Sequence, residues 1–350
     1  MLVYIVLLAV ILLLANTENE SNAKIFSFFV FFFIWFVISF RDYSVGSDTY
    51  SYILDYISEN EIARNIDIGY TYYCNLLRTW NVSPRLFMMI SSYLMVFPVL
   101  LFINKGSRKK MMSYFLFITI GTFAMCLTGI RQSIAIGIVL LGYVITSKTK
   151  HIVIRYSLLF GFVFLARMFH NSAYICYLFI PLMWLSERII ILQKKWLPFF
   201  LVAPLLLLFS SSLVSNVVEY FMISRYEDYE LGFENINLVS FLIIPYCIFS
   251  YNTIFSFKYG LNTPFDYFCF LCSFIYMICA ISSLYMPILA RLSFYYSLPT
   301  LVLIPNVTSK MQIKNQQFVT ALLIIVCLSF FMISTSGGIL RIDHYKFGFN

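Results

Sequence analysis

The chain has 350 residues, of which 61% are apolar and 11% charged, and its formal charge is +8. Soluble proteins are nearer half apolar and about a quarter charged, so most of this surface must face lipid, and a soluble two-domain protein is excluded. The basic residues lie scattered between apolar segments and form no single stripe, which speaks against nucleic acid as the partner.

Residues 2–15 form an apolar run without the charged flank of a cleaved signal peptide, and read as a retained, thin first helix. At 1.5 Å per residue it covers only about 22 Å. Further apolar segments follow near 25–40, 86–103, 113–130, 132–146, 156–169, 173–185, 197–213, 238–257, 265–283, 292–306 and 318–334. Several are shorter than the ~20 residues of a comfortable span. The pairs 113–130/132–146 and 156–169/173–185 are split by a few residues, and each reads as a tight helical hairpin or one broken helix. The expected fold is all-α: a polytopic transmembrane helix bundle of about 10–12 spans. It forms a single integral-membrane domain over 1–350, with outer loops at 41–85 and 214–237 carrying short interfacial helices. Cys126, Cys176, Cys247, Cys269, Cys272, Cys279 and Cys327 sit inside apolar segments, where a thiol behaves as a small hydrophobe. Cys269 and Cys272 have phenylalanine neighbours and no second ligand pair, so no metal site is read there.

The charges set the sidedness. Lys105, Arg108, Lys109 and Lys110 fill one connection, Lys148, Lys150 and Arg155 another, and Arg188, Lys194 and Lys195 a third. These alternate with the acidic connections 41–85 and 214–237, so the positive-inside rule places the lysine-rich loops in the cytoplasm and the two long loops outside. On that topology the outer cations are Arg41, Arg64, Arg78, Arg85, Arg131, Arg167, Arg225, Arg291, Arg341 and Lys346. Topology alone does not ask for arginine over lysine. A fork suits phosphate or carboxylate; pairing with the outer acids is the plainer alternative.

Four clusters could carry chemistry. Arg41 to Thr49 follows the second apolar segment, with Ser44-Val45-Gly46-Ser47 as a turn and Ser47 or Asp48 as a helix cap; Asp48, Tyr52 and Asp55 are then spaced to share a face. Gly129-Ile130-Arg131-Gln132-Ser133 sets a cation between two apolar runs, where a helix N-terminus at Arg131 would favour an anion. Arg167-Met168-Phe169-His170-Asn171 places a histidine at the same outer depth, able to take a proton near neutral pH. Arg291 opens a later apolar run after Tyr285-Met286-Pro287. The acidic stretch Glu227-Asp228-Tyr229-Glu230 reads as a solvated loop.

Taken in order, Arg41…Val45-Gly46-Ser47-Asp48-Thr49…Tyr52, Asp67-Ile68-Gly69-Tyr70, Gly129-Ile130-Arg131-Gln132 and Phe169-His170-Asn171-Ser172-Ala173 resemble the EpsG family of Wzy-like polysaccharide polymerases. The likeness covers most of residues 1–180 and reaches Arg291; His344-Tyr345-Lys346-Phe347 matches poorly. The resemblance implies a multi-pass enzyme of the bacterial cytoplasmic (inner) membrane. It would join oligosaccharide repeat units carried on undecaprenyl pyrophosphate into a capsule, exopolysaccharide or O-antigen on the outer face. A chain-length regulator and a flippase would be partners, and neither nucleotide sugar, cofactor nor metal is implied. Arg131 and Arg291, with Arg41 as a third, would bind pyrophosphate; His170, then Asp48, would serve the acceptor hydroxyl; Gln132, Gly46, Tyr52 and Arg167 would line the substrate. A flippase, a glycan ligase or an acyltransferase could use related residues. Against a transporter stand the absence of an internal repeat and the gathering of charge at one face.

Overall fold

Without water, each backbone N–H and C=O must be satisfied within its own segment, so the apolar runs fold as helices. The computed structural model describes residues 1–58, 67–120, 122–188, 194–206, 242–284, 289–336 and 341–349. Among them the structure is helical with no named strand; Arg41 and Phe347 form an isolated bridge. The chain packs as two compact units, Met1–Ile180 with Gln317–Asn350, and Pro181–Gln316.

The first unit contains α1 (Leu2–Thr17), α2 (Ala23–Ser39), α3 (Thr49–Ser58), α4 (Ile68–Thr79), α5 (Pro84–Gly106), α6 (Lys110–Thr119), α7 (Thr122–Thr128), α8 (Ile130–Thr146) and α9 (Ile152–Phe169). A 3-10 turn, Asn171–Leu178, leads into α10 (Phe179–Glu187). The second unit holds α11 (Leu197–Leu206), α12 (Ile244–Tyr259), α13 (Pro264–Ser282) and α14 (Ala290–Thr308), and α15 (Ile313–Ser336) returns to the first. Among the described residues four helices, α5, α9, α13 and α15, are long and apolar enough to cross a membrane; α6 and α7, bent by 57° at their junction, would together make a fifth. Helices α1, α2, α8 and α11 are apolar but shorter, 10–17 residues. The 113–130 run is thus the broken element, while 132–146 belongs to a separate helix that starts two residues earlier than expected. Loop 41–85 carries the short helices α3 and α4; loop 214–237 lies outside the described residues.

Helix α8 is central to the first unit. A methyl group added at Gly137 would lie 2.5 Å from the Leu94 carbonyl oxygen of α5, and one at Gly142 would lie 2.6 Å from Phe162 of α9. Lipid offers no hydrophobic drive between helices, so such close approach is what holds them together. By contrast, only 17% of the spanning stretch is buried in α9 and in α15, which leaves both with broad faces for lipid. At the lysine-rich end of the unit, Glu18 accepts from Lys110 N (2.6 Å) and Met111 N (3.4 Å), capping α6 from the α1–α2 turn; burial raises its carboxyl above the usual range. At the opposite end meet the end of α2, the start of α5, the α7–α8 turn and the chain's last residues.

In the second unit, α14 runs through Pro299 and Pro305 and receives polar partners from its neighbours. Asn252 Nδ2 donates to Thr300 O (2.9 Å), Asn306 Nδ2 donates to Asp266 Oδ1 (2.8 Å), and Tyr251 pairs with Thr308 (2.6 Å).

Candidate functional site

The end of the first unit opposite its lysine-rich connections begins where α2 stops. Arg41 is fully buried, and burial holds its guanidinium below the ordinary arginine value, at about 10. Among the described residues no carboxylate pairs with it. One amino group donates to Ile38 O, Nη2 reaches Thr49 Oγ1 (3.3 Å), and the buried Nε has no partner. Arg85 Nη1 donates to Ser39 O (3.0 Å) and Arg41 O (2.8 Å). Arg78 ties α4 to α3 through Tyr56 O and Asp55 O, each at 2.9 Å. These carbonyls lie at or just beyond the C-terminal ends of α2 and α3, the groups a helix leaves without internal partners.

The turn between α2 and α3 follows from its residues. Asp42 Oδ1 accepts from Ser44 N (2.9 Å) and Ser44 Oγ (2.6 Å), and these bonds lower its carboxyl below the usual range. Gly46 has φ +92, and a methyl group there would lie 2.0 Å from Leu127 O, so only glycine fits. Thr49 Oγ1 donates to the same carbonyl (3.0 Å). The turn is therefore locked onto the last residues of α7, directly before Arg131.

A segment without a role in the sequence patterns closes this end. Gly46 N donates to Arg341 O (3.0 Å), Asp42 N to Lys346 O (2.9 Å), Gly348 N to Phe40 O (2.9 Å) and Tyr345 Oη to Val37 O (2.8 Å). The strap 341–349 lies across the end of α2 above Arg41.

Arg131 sits in the first turn of α8, after Gly129. Its Nη1 donates to Asp67 Oδ2 at 2.8 Å; the Arg131 side chain is 25% exposed and that of Asp67 5%. The Arg131 Cζ lies 5.7 Å from the Tyr52 ring centroid and 5.9 Å from that of Tyr70. Pairing with an outer acid, the plainer expectation for these arginines, is thus realised at Arg131. Gln132 beside it is buried. Asp67 and Tyr70 come from α4 and its entry, and sequence reasoning gave them no role. Their signal was faint: an acid just ahead of a glycine that a helix end must approach. A methyl group at Gly69 would lie 2.6 Å from Met168 Cβ, so the start of α4 is seated against the end of α9.

That contact brings the Arg167–His170 cluster to the same end. His170 Nδ1 accepts from Ser172 N (3.3 Å) and lies 2.6 Å from Ser172 Oγ, capping the 3-10 turn. Because a backbone N–H donates to Nδ1, the neutral ring carries its proton on Nε2. Arg167 is exposed and donates weakly to Asn171 Oδ1 (3.4 Å). Asp48 is exposed, whereas Tyr52, four residues on, is buried. Arg291 belongs to the second unit, in the first turn of α14, and residues 285–288 before it lie outside the described set. Among the described residues no group of three or more His, Cys, Asp or Glu could hold a metal ion.

Apolar helices, with a polar cluster joining the ends of several of them, define a multi-pass membrane protein. The chain belongs to the EpsG family, whose model matches residues 24–346, and so to the membrane proteins of polysaccharide biosynthesis. The match extends through the poorly recognised tail to Lys346. No curated protein and no solved structure matches the chain.

Proposed function

We propose that this protein polymerises oligosaccharide repeat units carried on undecaprenyl pyrophosphate, at the outer face of a bacterial cytoplasmic membrane, into a surface polysaccharide. The observation that carries the reading is Arg131: a guanidinium anchored by Asp67 and Tyr52, partly exposed, at a helix N-terminus where amides and dipole favour an anion. In the reaction the bond from the sugar anomeric carbon to the phosphate oxygen breaks, and a bond to the acceptor hydroxyl oxygen forms. The hydroxyl proton leaves to a base, and negative charge develops on the departing diphosphate. Arg131 stabilises that charge where it appears. Arg291, in the second unit, is assigned anion binding on the same chemical grounds. Arg41, buried beneath the strap, acts on the anion through the shape of the turn it holds.

His170 is assigned to the acceptor hydroxyl or the leaving oxygen. Its Nε2–H suits donation to the developing charge; service as a base at Nε2 requires Ser172 to release Nδ1, so that the ring proton can move there. Asp48, exposed at the start of α3, is the second candidate for the base. Tyr52, Gly46, Gln132 and Arg167 shape or line the sugar-binding surface.

The test is Arg131→Lys, which keeps the charge and removes the fork. With normal protein levels, lipid-linked units supplied to the purified variant should give no ladder, a loss of about 100- to 1,000-fold. A wild-type ladder from this variant would remove the diphosphate argument, and vesicle translocation of the units without bond formation would favour a flippase.

A further inference from the structure

The Arg131 guanidinium is held at more than one point. Asp67 takes one amino group at 2.8 Å. The Tyr52 and Tyr70 centroids lie 6.0 Å from each other, and 5.7 and 5.9 Å from the Arg131 Cζ. Those lengths make a nearly equilateral triangle, so the two rings flank the guanidinium from neighbouring directions, and the Tyr52 side chain also hydrogen-bonds to it. The side chain is 25% exposed, and that exposed part is left to a ligand. The Nε–H is buried and has no partner.

An acid in this position could do one of two things. As a placeholder it would release Arg131 when a phosphate arrives. Asp67 would then be left as a buried carboxylate without its cation, a penalty larger than one exchanged hydrogen bond returns. Nor can it easily withdraw, because Gly69 is pressed onto Met168 and seats the start of α4. As an anchor it would stay paired throughout, fixing the plane of the guanidinium. We propose the second: Asp67 is a positioning residue that holds Arg131 with its exposed part toward the departing diphosphate, and the Tyr52–Tyr70 corner limits the approach to that part. This inference rests on the polymerase reading and adds to it the group that orients its principal cation.

The experiment compares wild type, Asp67→Asn and Asp67→Glu as purified full-length protein in detergent. Two readouts are taken: polymer formation from lipid-linked units, and binding of inorganic pyrophosphate followed by thermal unfolding. Asp67→Asn keeps the shape and removes the charge. It should lower kcat about a hundredfold, the scale of a 1 Å misplacement, with KM little changed and pyrophosphate bound more weakly. Asp67→Glu should recover part of both losses. Wild-type kcat and pyrophosphate binding in Asp67→Asn would overturn the inference. Tighter pyrophosphate binding would also overturn it, since that is the mark of a placeholder. If Asp67→Asn does not fold, Asp67→Glu decides, and a folded Glu variant with unaltered kcat counts against positioning. If wild type binds pyrophosphate but forms no polymer, the polymerase reading fails while weaker binding by Asp67→Asn still supports the anchor. Wild type that binds no pyrophosphate sinks the anchor.

Discussion

Gly46→Ala is the sharpest probe of how the site is built, because its consequence follows from distances. The new methyl group would lie 2.0 Å from Leu127 O and 2.8 Å from Thr49 Oγ1, while real contacts of this kind essentially never fall under 3.0 Å. Something must therefore move by about 1 Å, a scale at which misplaced catalytic groups cost about a hundredfold in rate. The hydroxyl can rotate away, but the carbonyl is backbone, four residues before Arg131 on the same turn. Alanine must also hold φ +92, which adds about 1–2 kcal/mol for an L-residue. The strap is affected as well, since Gly46 N is its contact with Arg341 O. The expected result is a lower unfolding temperature in detergent and strongly reduced polymer at normal protein level. Gly161→Ala is the control: it has nothing within 4 Å of the added methyl group and should change neither. Wild-type polymer and stability from Gly46→Ala would refute the claim that the turn sets the position of Arg131.

His170→Ala should stop turnover by about 100- to 10,000-fold while lipid-linked substrate still binds; retained turnover would pass the base role to Asp48 or remove it. Because His170 also caps the 3-10 turn, the same variant should lose about 1 kcal/mol of stability. His170→Asn, which can still cap, separates the two losses by restoring stability but not turnover. Cys74, buried on α4 with its thiol pushed up to about 11, should resist maleimide at pH 8 in the folded protein and react on unfolding. Rapid labelling at Cys74 itself in the folded state, as distinct from the exposed Cys247, would show that α4 does not pack as described.

Helices were legible because apolar runs are local: each run within the described residues lies on a helix, and the polar loop 41–85 holds the short α3 and α4. The placement of Arg131 at a helix start was readable too, since Gly129 breaks the run just before it. Contacts between distant parts were not. Asp67 and Arg131 are 64 residues apart, and no pattern within either segment announces the pair. The strap was unreadable for the same reason, its bonds being backbone groups that any sequence supplies. The bend between α6 and α7 is marked in the sequence by Thr119, Gly121 and Thr122 alone, too slight an interruption of an apolar run to announce a break.

The excess of arginine over lysine at the outer end has two physical origins, and separating them sharpens the site. Arg78 and Arg85 each bond two carbonyl groups, and Arg41 bonds a carbonyl and a hydroxyl. These groups lie around the C-terminal ends of α2 and α3, where the backbone lacks internal partners and the dipole is negative. Arg41 and Arg78 reach their divergent acceptors from two different nitrogens, as a planar fork allows and a lysine ammonium does not, whereas Arg85 holds both of its carbonyls from Nη1. At Arg41 and Arg78 architecture alone thus accounts for arginine, with no ligand involved. Arg131 differs on each count: it stands at a helix N-terminus, it is paired with a carboxylate, and part of its side chain is exposed. A positive helix end gives a second cation no reason to be there unless an anion is shared or expected. Asp67 answers for one amino group, and the exposed part of the side chain answers to a further anion. The argument for recognition therefore narrows, within the first unit, from a general arginine excess to this one guanidinium.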